Sequence, residues 1–255
     1  MTKTLRYVFN RLQGPQSHTC DEVLFEHALH APQALLWQGK TGLVVPRTYA
    51  QNPDFETCQS VLAQQGWPIS VRQSGGGVVP QGPGIWNLSL AWRQYGRPLD
   101  HAENAYRLLC APIQNALQDC GIHSNTQAVP GSFCDGRFNL AVQQQGVAKK
   151  IVGTAQVWRR VSGPAIPSMP ARQAGDPSDW HVVLAHALIL LDVDLATVTQ
   201  LANRVEKHLS RNTRYQMQRT YDLGRLGVSP ELFLQRLQQH LLQQSAPHDQ
   251  YPPSR

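Results

Sequence analysis

Charge is scarce in this chain. Asp, Glu, Lys and Arg together make up only 16% of its 255 residues, against about a quarter in an ordinary soluble domain. Disorder driven by excess charge is therefore excluded. Glutamine fills much of the polar surface instead, as in Gln143-Gln144-Gln145 and Gln243-Gln244. No dense basic tract interleaves with aromatics, although the net charge is +6 and the pI about 9.2. That scatter argues against a nucleic-acid surface and suits an acidic protein partner or a small anionic ligand. Long apolar runs are also missing. The longest, Val182 to Leu191, is interrupted by His186 and falls far short of a membrane span. Met1 to Arg6 carries no secretory pattern. The expectation is a cytoplasmic protein with no membrane contact. The five cysteines contain no Cys-x-x-Cys pair, so neither a disulfide framework nor a zinc knuckle is expected. Cys58, Cys110 and Cys120 fall in helix-like segments and read as small core residues. His186 has no second histidine at metal-site spacing, so no metal site is expected.

What is present is a 41% hydrophobic fraction, enough for one large domain over 1–245 with a frayed tail over 246–255. Leu5 to Leu12 has strand composition. Asp21 to Leu29 reads as a helix with Val23, Leu24, Ala28 and Leu29 on its apolar face. Ala34 to Trp37 and Gly42 to Val45 read as strands separated by a Gly39-Lys40 turn. A helix over Phe55 to Gln65 closes at Gly66, and strands Ile69 to Gln73 and Trp86 to Trp92 flank a glycine loop. Asp100 and Glu103 have capping-box spacing for a helix that stops at Gly121. Phe138 to Val142 and Lys149 to Trp158 form a hairpin about Gly146. Residues 159–180, with four prolines, read as a long surface loop, a lid over a site. Strand His181 to Leu191, helix Leu195 to Leu209 and a Ser229-capped helix complete the chain. Strand–helix alternation is irregular, which predicts an α+β fold: a largely antiparallel mixed sheet with helices packed against it.

Four features could carry chemistry. In Arg72-Gln73-Ser74-Gly75-Gly76-Gly77-Val78-Val79 the glycines allow close backbone approach to a ligand, and Arg72 supplies a fork of donors at the entrance. The plain alternative is a glycine-rich hairpin. Lys150 lies in Lys149-Lys150-Ile151-Val152-Gly153-Thr154-Ala155. Strand alternation places it on one face with Val152 and Thr154, where a lysine is costly unless it meets an anion; the alternative is a solvated lysine whose stem covers the sheet. Cys134 sits in a turn, Pro130-Gly131-Ser132-Phe133-Cys134-Asp135-Gly136-Arg137, where a cation such as Arg137 or Lys150 would favour the thiolate needed for acyl transfer. Otherwise it is a small residue beside Phe133. His186 either contacts a ligand or is a buried neutral histidine with one hydrogen bond.

With these segments in hand, the chain resembles the biotin/lipoate protein ligase and octanoyltransferase superfamily over about residues 5–210. The loop from Arg72 through Ser74, Gly75, Gly76 and Gly77 to Val79 looks like the family's arginine-x-serine-glycine-glycine-glycine signature, which embraces the acyl chain and its activated head. Asn52-Pro53 is similar to a short upstream turn. Lys150, with Gly153, Thr154 and Ala155 after it, matches the lysine motif that holds the activated carbonyl. His186-Ala187-Leu188-Ile189-Leu190 resembles the histidine strand. Gln81 stands where a histidine is usual. Around Cys134 the chain looks most like the amidotransferases, whose cysteine is the nucleophile, with Asp135 in place of a proline and Asn139 in place of an aspartate. The resemblance implies a biotin/lipoate ligase-like catalytic domain that moves octanoyl or lipoyl to the lysine of a small acidic carrier through a cysteine thioester. The implied carriers are the glycine cleavage H protein, a dehydrogenase E2 lipoyl domain, or acyl carrier protein. No cofactor is needed on that reading. The alternatives are an ATP- and Mg2+-dependent lipoate ligase, in which Asn139 helps organise the adenylate, and a non-catalytic ligand-binding homologue.

Overall fold

The computed structural model describes residues 6–161 and 180–247. In chain order the elements are β1 (Val8–Gln16), a 3₁₀ turn running into α1 (Leu24–His27), β2 (Gln33–Gly39), β3 (Gly42–Pro46), α2 (Arg47–Ala50) and α3 (Phe55–Gln64). Next come β4 (Ile69–Arg72), β5 (Val79–Gln81), β6 (Ile85–Tyr95), α4 (Pro98–Asp119), β7 (Asn125–Thr126) and β8 (Leu140–Gln144). The last are β9 (Val147–Arg160), β10 (Trp180–Leu190), α5 (Leu195–His208) and α6 (Pro230–Gln243). The described strands form a seven-stranded sheet in the order β1-β2-β6-β10-β9-β8-β7 and a three-stranded sheet in the order β4-β3-β5. Among the described strands, β1 with β2 and β3 with β4 pair in parallel and the rest antiparallel. The α+β expectation stands, with the antiparallel bias expected.

The two sheets arise where a simple turn was expected. β2 and β3 are separated by Lys40 and Thr41 but do not pair. β2 joins β6 in the large sheet, while β3 leaves to pair β4 and β5. The chain changes sheet within two residues, and that opens the space in which the site lies.

Alternation along β10 divides its side chains. Val183, Ala185, Ala187 and Ile189 join the core under α4 and α6, with Leu109, Ile113, Phe233 and Leu237. Val182 and Leu184 face the other way, against Phe25 and Trp37, and Leu188 and Leu190 face the small sheet, α3 and α5. His186 shares this second face by parity. The large sheet therefore has a fully helix-covered side and a side shared by two smaller layers. The seam between those layers runs along β9 and β10.

Several local expectations shift. The segment after Thr19 is mostly a single 3₁₀ turn, Cys20–Val23, plus one helical turn; Asp21 is buried and Val23 is 49% exposed. Helix α4 begins at Pro98, not Asp100. Proline suits a first helical position, where no N–H is needed. Asp100 and Glu103 instead make exposed pairs with Arg97 (3.0 Å) and Arg107 (2.6 Å). The β8–β9 hairpin turns on Gln145 and Gly146, both with positive φ, as a two-residue turn of matching twist requires. Arg159, Arg160 and Trp180 belong to strands, Val161 N donates to Trp180 O at 2.8 Å, and residues 162–179 of the expected lid loop lie outside the described residues. Ala246 is buried and Ser245 bridges to Arg6, so packed structure continues past 245; residues 248–255 lie outside the described residues.

Candidate active site

An apolar channel follows the seam, floored by β9 and β10 and walled by the Thr19–Phe25 segment and the small sheet. Phe25, Trp37, Val79, Phe133, Leu184 and Leu188 supply its apolar surface. Arg72, Cys134 and Lys150 line it, Lys150 beside Gly153, and His186 and Asp21 line it too, His186 beside Ala155.

Lys150 reaches this channel through a bulge that simple alternation does not anticipate. Ala141 pairs with Lys150 but its neighbour Leu140 pairs with Val152, so Ile151 is an extra residue in β9. Parity is thereby reversed. Val152 and Ile151 both enter the helix-covered core, and Gln156 reaches back to Ala102 O at 3.3 Å. Lys150 instead shares the channel side with Gly153, whose missing Cβ would sit 3.0 Å from Lys150 Nζ. The expectation that Lys150, Val152 and Thr154 share a face is corrected: the lysine is on the site side because the strand is irregular. Lys150 is 3% exposed. Its ammonium donates to Phe133 O and, at 2.9 Å, to Cys134 O. An ammonium has three N–H bonds, so one remains for the channel, on the side left open by Gly153. Burial pulls its pKa down to about 8, with Cys134 and Asp135 opposing that shift.

Cys134 adopts φ +46, a conformation costly for a residue with a side chain. Three contacts hold it. Lys150 and Asn139 Nδ2 (3.1 Å) both donate to its carbonyl. Asp135 turns away and accepts from Val129 N at 2.6 Å, closing the loop. The sulfur packs onto Gly76, which has φ +107; a Cβ there would overlap Sγ and lie 3.1 Å from Arg72 Nη2. The cation at the sulfur is therefore Arg72. Arg137 is exposed and lies over the Phe138 ring, 5.8 Å from its centroid.

Arg72 also shapes the glycine loop. Its guanidinium donates to Ser74 Oγ (3.0 Å), Val44 O (2.8 Å), Gly75 O (2.9 Å) and Gly77 O (2.8 Å). Gly75 faces open space, and Val79 lines the channel. Asn139 is fully buried and spends both amide atoms inside the protein: Nδ2 on Cys134 O and Oδ1 on Thr154 N at 3.1 Å. Thr154 Oγ1 donates to Phe138 O at 3.1 Å. These two residues brace the cysteine loop against β9. Ala155 lines the channel opposite His186, its β10 partner.

His186 is part of a polar cluster. Its Nδ1 lies 3.0 Å from Asp21 Oδ2, Ser89 Oγ donates to the same oxygen at 2.7 Å, and Trp37 Nε1 donates to Ser89 Oγ at 3.1 Å. Burial pushes the Asp21 carboxyl up, yet the His186 and Ser89 bonds outweigh it and hold the group below its usual value. Sequence reasoning missed Asp21, Ser89 and Trp37. The available signal was an acidic residue at the start of an apolar run.

A second missed group lies beneath the glycine loop. Tyr215 OH donates to Glu206 Oε1 at 2.6 Å and accepts from Val78 N at 2.9 Å, and a Cβ on Gly77 would overlap this hydroxyl. Tyr49 OH donates to the same Glu206 oxygen at 2.6 Å, and Arg211 pairs with the other at 3.2 Å. Burial and the adjacent carboxylate drive the Tyr215 phenol far up, so it stays a hydrogen-bond donor at any ordinary pH.

A family model for the lipoyl protein ligase A/B catalytic domain matches residues 14–165. A Cupriavidus necator protein described as uncharacterized is 42% identical over 201 residues, 79% of this chain and 74% of that protein. An octanoyl-GcvH:protein N-octanoyltransferase of Kyrpidia tusciae is 39% identical over 129 residues, 51% of this chain but 39% of its own length. Among solved structures, a lipoate-protein ligase A bound with ATP aligns with a TM-score of 0.62 at 16% identity, over 99% of this chain and 90% of that one. The bi-partite lipoate protein ligase of Thermoplasma acidophilum, described with its E2 lipoyl domain, gives 0.58 at 16% identity, over 92% and 82%. At such identities the likeness is one of fold.

Proposed function

The chain belongs to the lipoyl protein ligase A/B catalytic-domain family, and from that footing we propose that it transfers an octanoyl or lipoyl group to the lysine of a lipoyl carrier domain through a thioester on Cys134. The observation that carries this reading is a cysteine lining an apolar channel, its sulfur against Gly76 beside Arg72 and its carbonyl held by the buried Lys150 ammonium.

The acyl chain lies in the channel along β9 and β10. The Cys134 thiolate attacks the carbonyl carbon of the donor, an acyl thioester or a lipoyl-lysine amide. The carbonyl oxygen takes up negative charge, and the remaining N–H of the Lys150 ammonium donates to it, while Arg72, its donors engaged with Ser74, Val44, Gly75 and Gly77, supports the loop. Donors aimed at a developing oxyanion are worth about 3–4 kcal/mol each in comparable sites. The donor's sulfur or nitrogen leaves and takes a proton, and the acyl group stays on Sγ. The acceptor lysine then attacks as the free amine, loses a proton, and expels the thiolate. Donor and product are both acyl derivatives, so nothing is oxidised or reduced and the cycle needs no nucleotide.

The resemblance to the octanoyl-GcvH transferase of Kyrpidia and to a lipoyl-GcvH:protein N-lipoyltransferase of Listeria monocytogenes supports this reaction and a GcvH-like carrier as partner. On the ligase alternative, Lys150 and the glycine loop would grip an acyl-adenylate and Cys134 would be incidental. Asn139 fits that role poorly, because both its amide atoms are engaged within the fold. The test is transfer from an octanoylated carrier to an unmodified one without ATP. Wild type should transfer and Cys134→Ala should not. Octanoate-dependent pyrophosphate release from ATP that survives Cys134→Ala would overturn the cysteine route.

A further inference from the structure

The segment Ser210–Tyr221 belongs to no sequence motif, yet it bonds to the glycine loop, the cysteine loop and Lys150. Tyr215 OH accepts from Val78 N under the glycine loop. Gln216 N donates to Gly131 O of the cysteine loop at 2.8 Å. Tyr221 N donates to Lys150 O at 2.8 Å, and Thr220 bridges to Lys150. Asn203 fixes Tyr215 at both backbone atoms, at 2.9 and 2.8 Å. The inner side of this strap is therefore spent on the site.

Its outer side is basic and open. Arg214, Gln216, Met217 and Gln218 are exposed and Arg219 is half-exposed, with Met217 at 41%. No acidic residue lies between Glu206 and Asp222. Both of those carboxylates are buried and already paired, with Arg211 and Arg225. Arg214 donates to the backbone carbonyls of Arg211 (2.9 Å) and Thr213 (2.7 Å), and among the described residues it pairs with no carboxylate. The patch also borders the nucleophile's loop: a Cβ on Gly131, three residues before Cys134, would lie 3.4 Å from Arg219 Cγ. Arginine and methionine around an exposed apolar centre are favoured at protein interfaces, and a one-sign patch selects partners of opposite sign.

We propose that Arg214, Met217 and Arg219 form the docking surface for an acidic carrier domain and so bring its acyl-bearing or acceptor lysine to Cys134. The inference rests on the acyl-transfer reading above. Docking there would press on the segment that fixes the glycine loop, the cysteine loop and Lys150, so partner binding and site geometry share one element.

The test pairs R214E/R219E with R107E, a reversal of an exposed arginine on α4. Two probes are used: an unmodified lipoyl domain of net negative charge as acceptor, and a small octanoyl thioester as donor to Cys134. The double reversal should raise KM for the lipoyl domain by about tenfold or more, leave acylation by the small thioester unchanged, and flatten the salt dependence of KM. R107E should change neither. An unchanged KM for the lipoyl domain overturns the proposal, as does an equal loss with the small thioester, which would mark the strap as structural only. Should wild type bind the lipoyl domain but transfer nothing, the transfer reading fails while titration of the unmodified domain still decides the docking surface. Oligonucleotide binding abolished by the double reversal, with no lipoyl-domain binding, would also overturn it.

Discussion

Gly76→Ala tests the contact on which the nucleophile depends. The backbone there has φ +107, a conformation that L side chains rarely adopt, and the new methyl would overlap Cys134 Sγ and crowd Arg72 Nη2. Holding a non-glycine residue in such a region costs about 1–3 kcal/mol, which a domain with ~5–15 kcal/mol of stability survives. For a chain of this size that corresponds to a fall of about 2–4 °C in Tm per kcal/mol. The larger effect falls on chemistry. The sulfur must move to clear the methyl, and a displacement of about 1 Å at a reacting atom can cost roughly a hundredfold in rate. Gly75→Ala is the control, because nothing lies within 4 Å of its Cβ position. Acylation of Cys134 by an octanoyl thioester, followed by quenched intact-mass measurement, should slow about a hundredfold in Gly76→Ala and stay near wild type in Gly75→Ala. Melting curves would show both folded. A Gly76→Ala protein that acylates at the wild-type rate would refute the placement of the sulfur against the loop.

Three further perturbations have definite expectations. Tyr215→Phe leaves the buried Val78 N–H without its acceptor and removes a donor from Glu206, so denaturant unfolding should show a loss of about 1–3 kcal/mol, with slower acylation as the loop loosens. Lys150 must carry its proton to stabilise an oxyanion, and its pKa is drawn down to about 8, so acylation that depends on it should decline as pH rises through about 8. Between that value and its ordinary range the unfolded chain binds more protons, so the Lys150 contribution to stability rises with pH. The rate loss is therefore predicted without unfolding, and circular dichroism over the same range checks it. Asp21 is held below its ordinary value in the fold, so it adds stability above its unfolded pKa that is lost as pH falls through the folded one. Asp21→Asn should accordingly be less stable than wild type at neutral pH, and the gap should close on acidification. An undiminished gap at pH 3 would contradict the Asp21–His186 account.

Much of this arrangement was legible in local sequence, and the gaps have physical causes. The glycine loop, Cys134, Lys150 and His186 lie in separate stretches of sequence, and the fold brings them along one channel. Lys150 does not share a face with Val152 as expected. Regular alternation groups it with Val152, and only the bulge at Ile151, which depends on how β8 pairs, turns it to the channel. The β2–β3 break has a similar origin: a two-residue link between apolar strands looks like a hairpin until both find other partners. Asn139 and Thr154 were expected at a ligand, and their hydrogen bonds brace the loop that presents Cys134. The strap from Ser210 to Tyr221 has no periodicity and forms only a short 3₁₀ turn. Its ordering comes from contacts with three distant segments, which local patterns do not encode. Asp21 and Glu206 are buried acids inside helical segments, where one sequence offers no sign that Ser89, His186, Tyr49 and Tyr215 converge on them.

The central claim is that the acyl group passes through the sulfur of Cys134. Mixing the protein with an octanoylated carrier, without acceptor or ATP, and recording its intact mass tests this directly. The account predicts a single octanoyl adduct that is removed by hydroxylamine, maps to Cys134, disappears on addition of unmodified carrier, and never forms in Cys134→Ala. Transfer to the acceptor at the full rate by Cys134→Ala, with the protein's mass unaltered throughout, would contradict it.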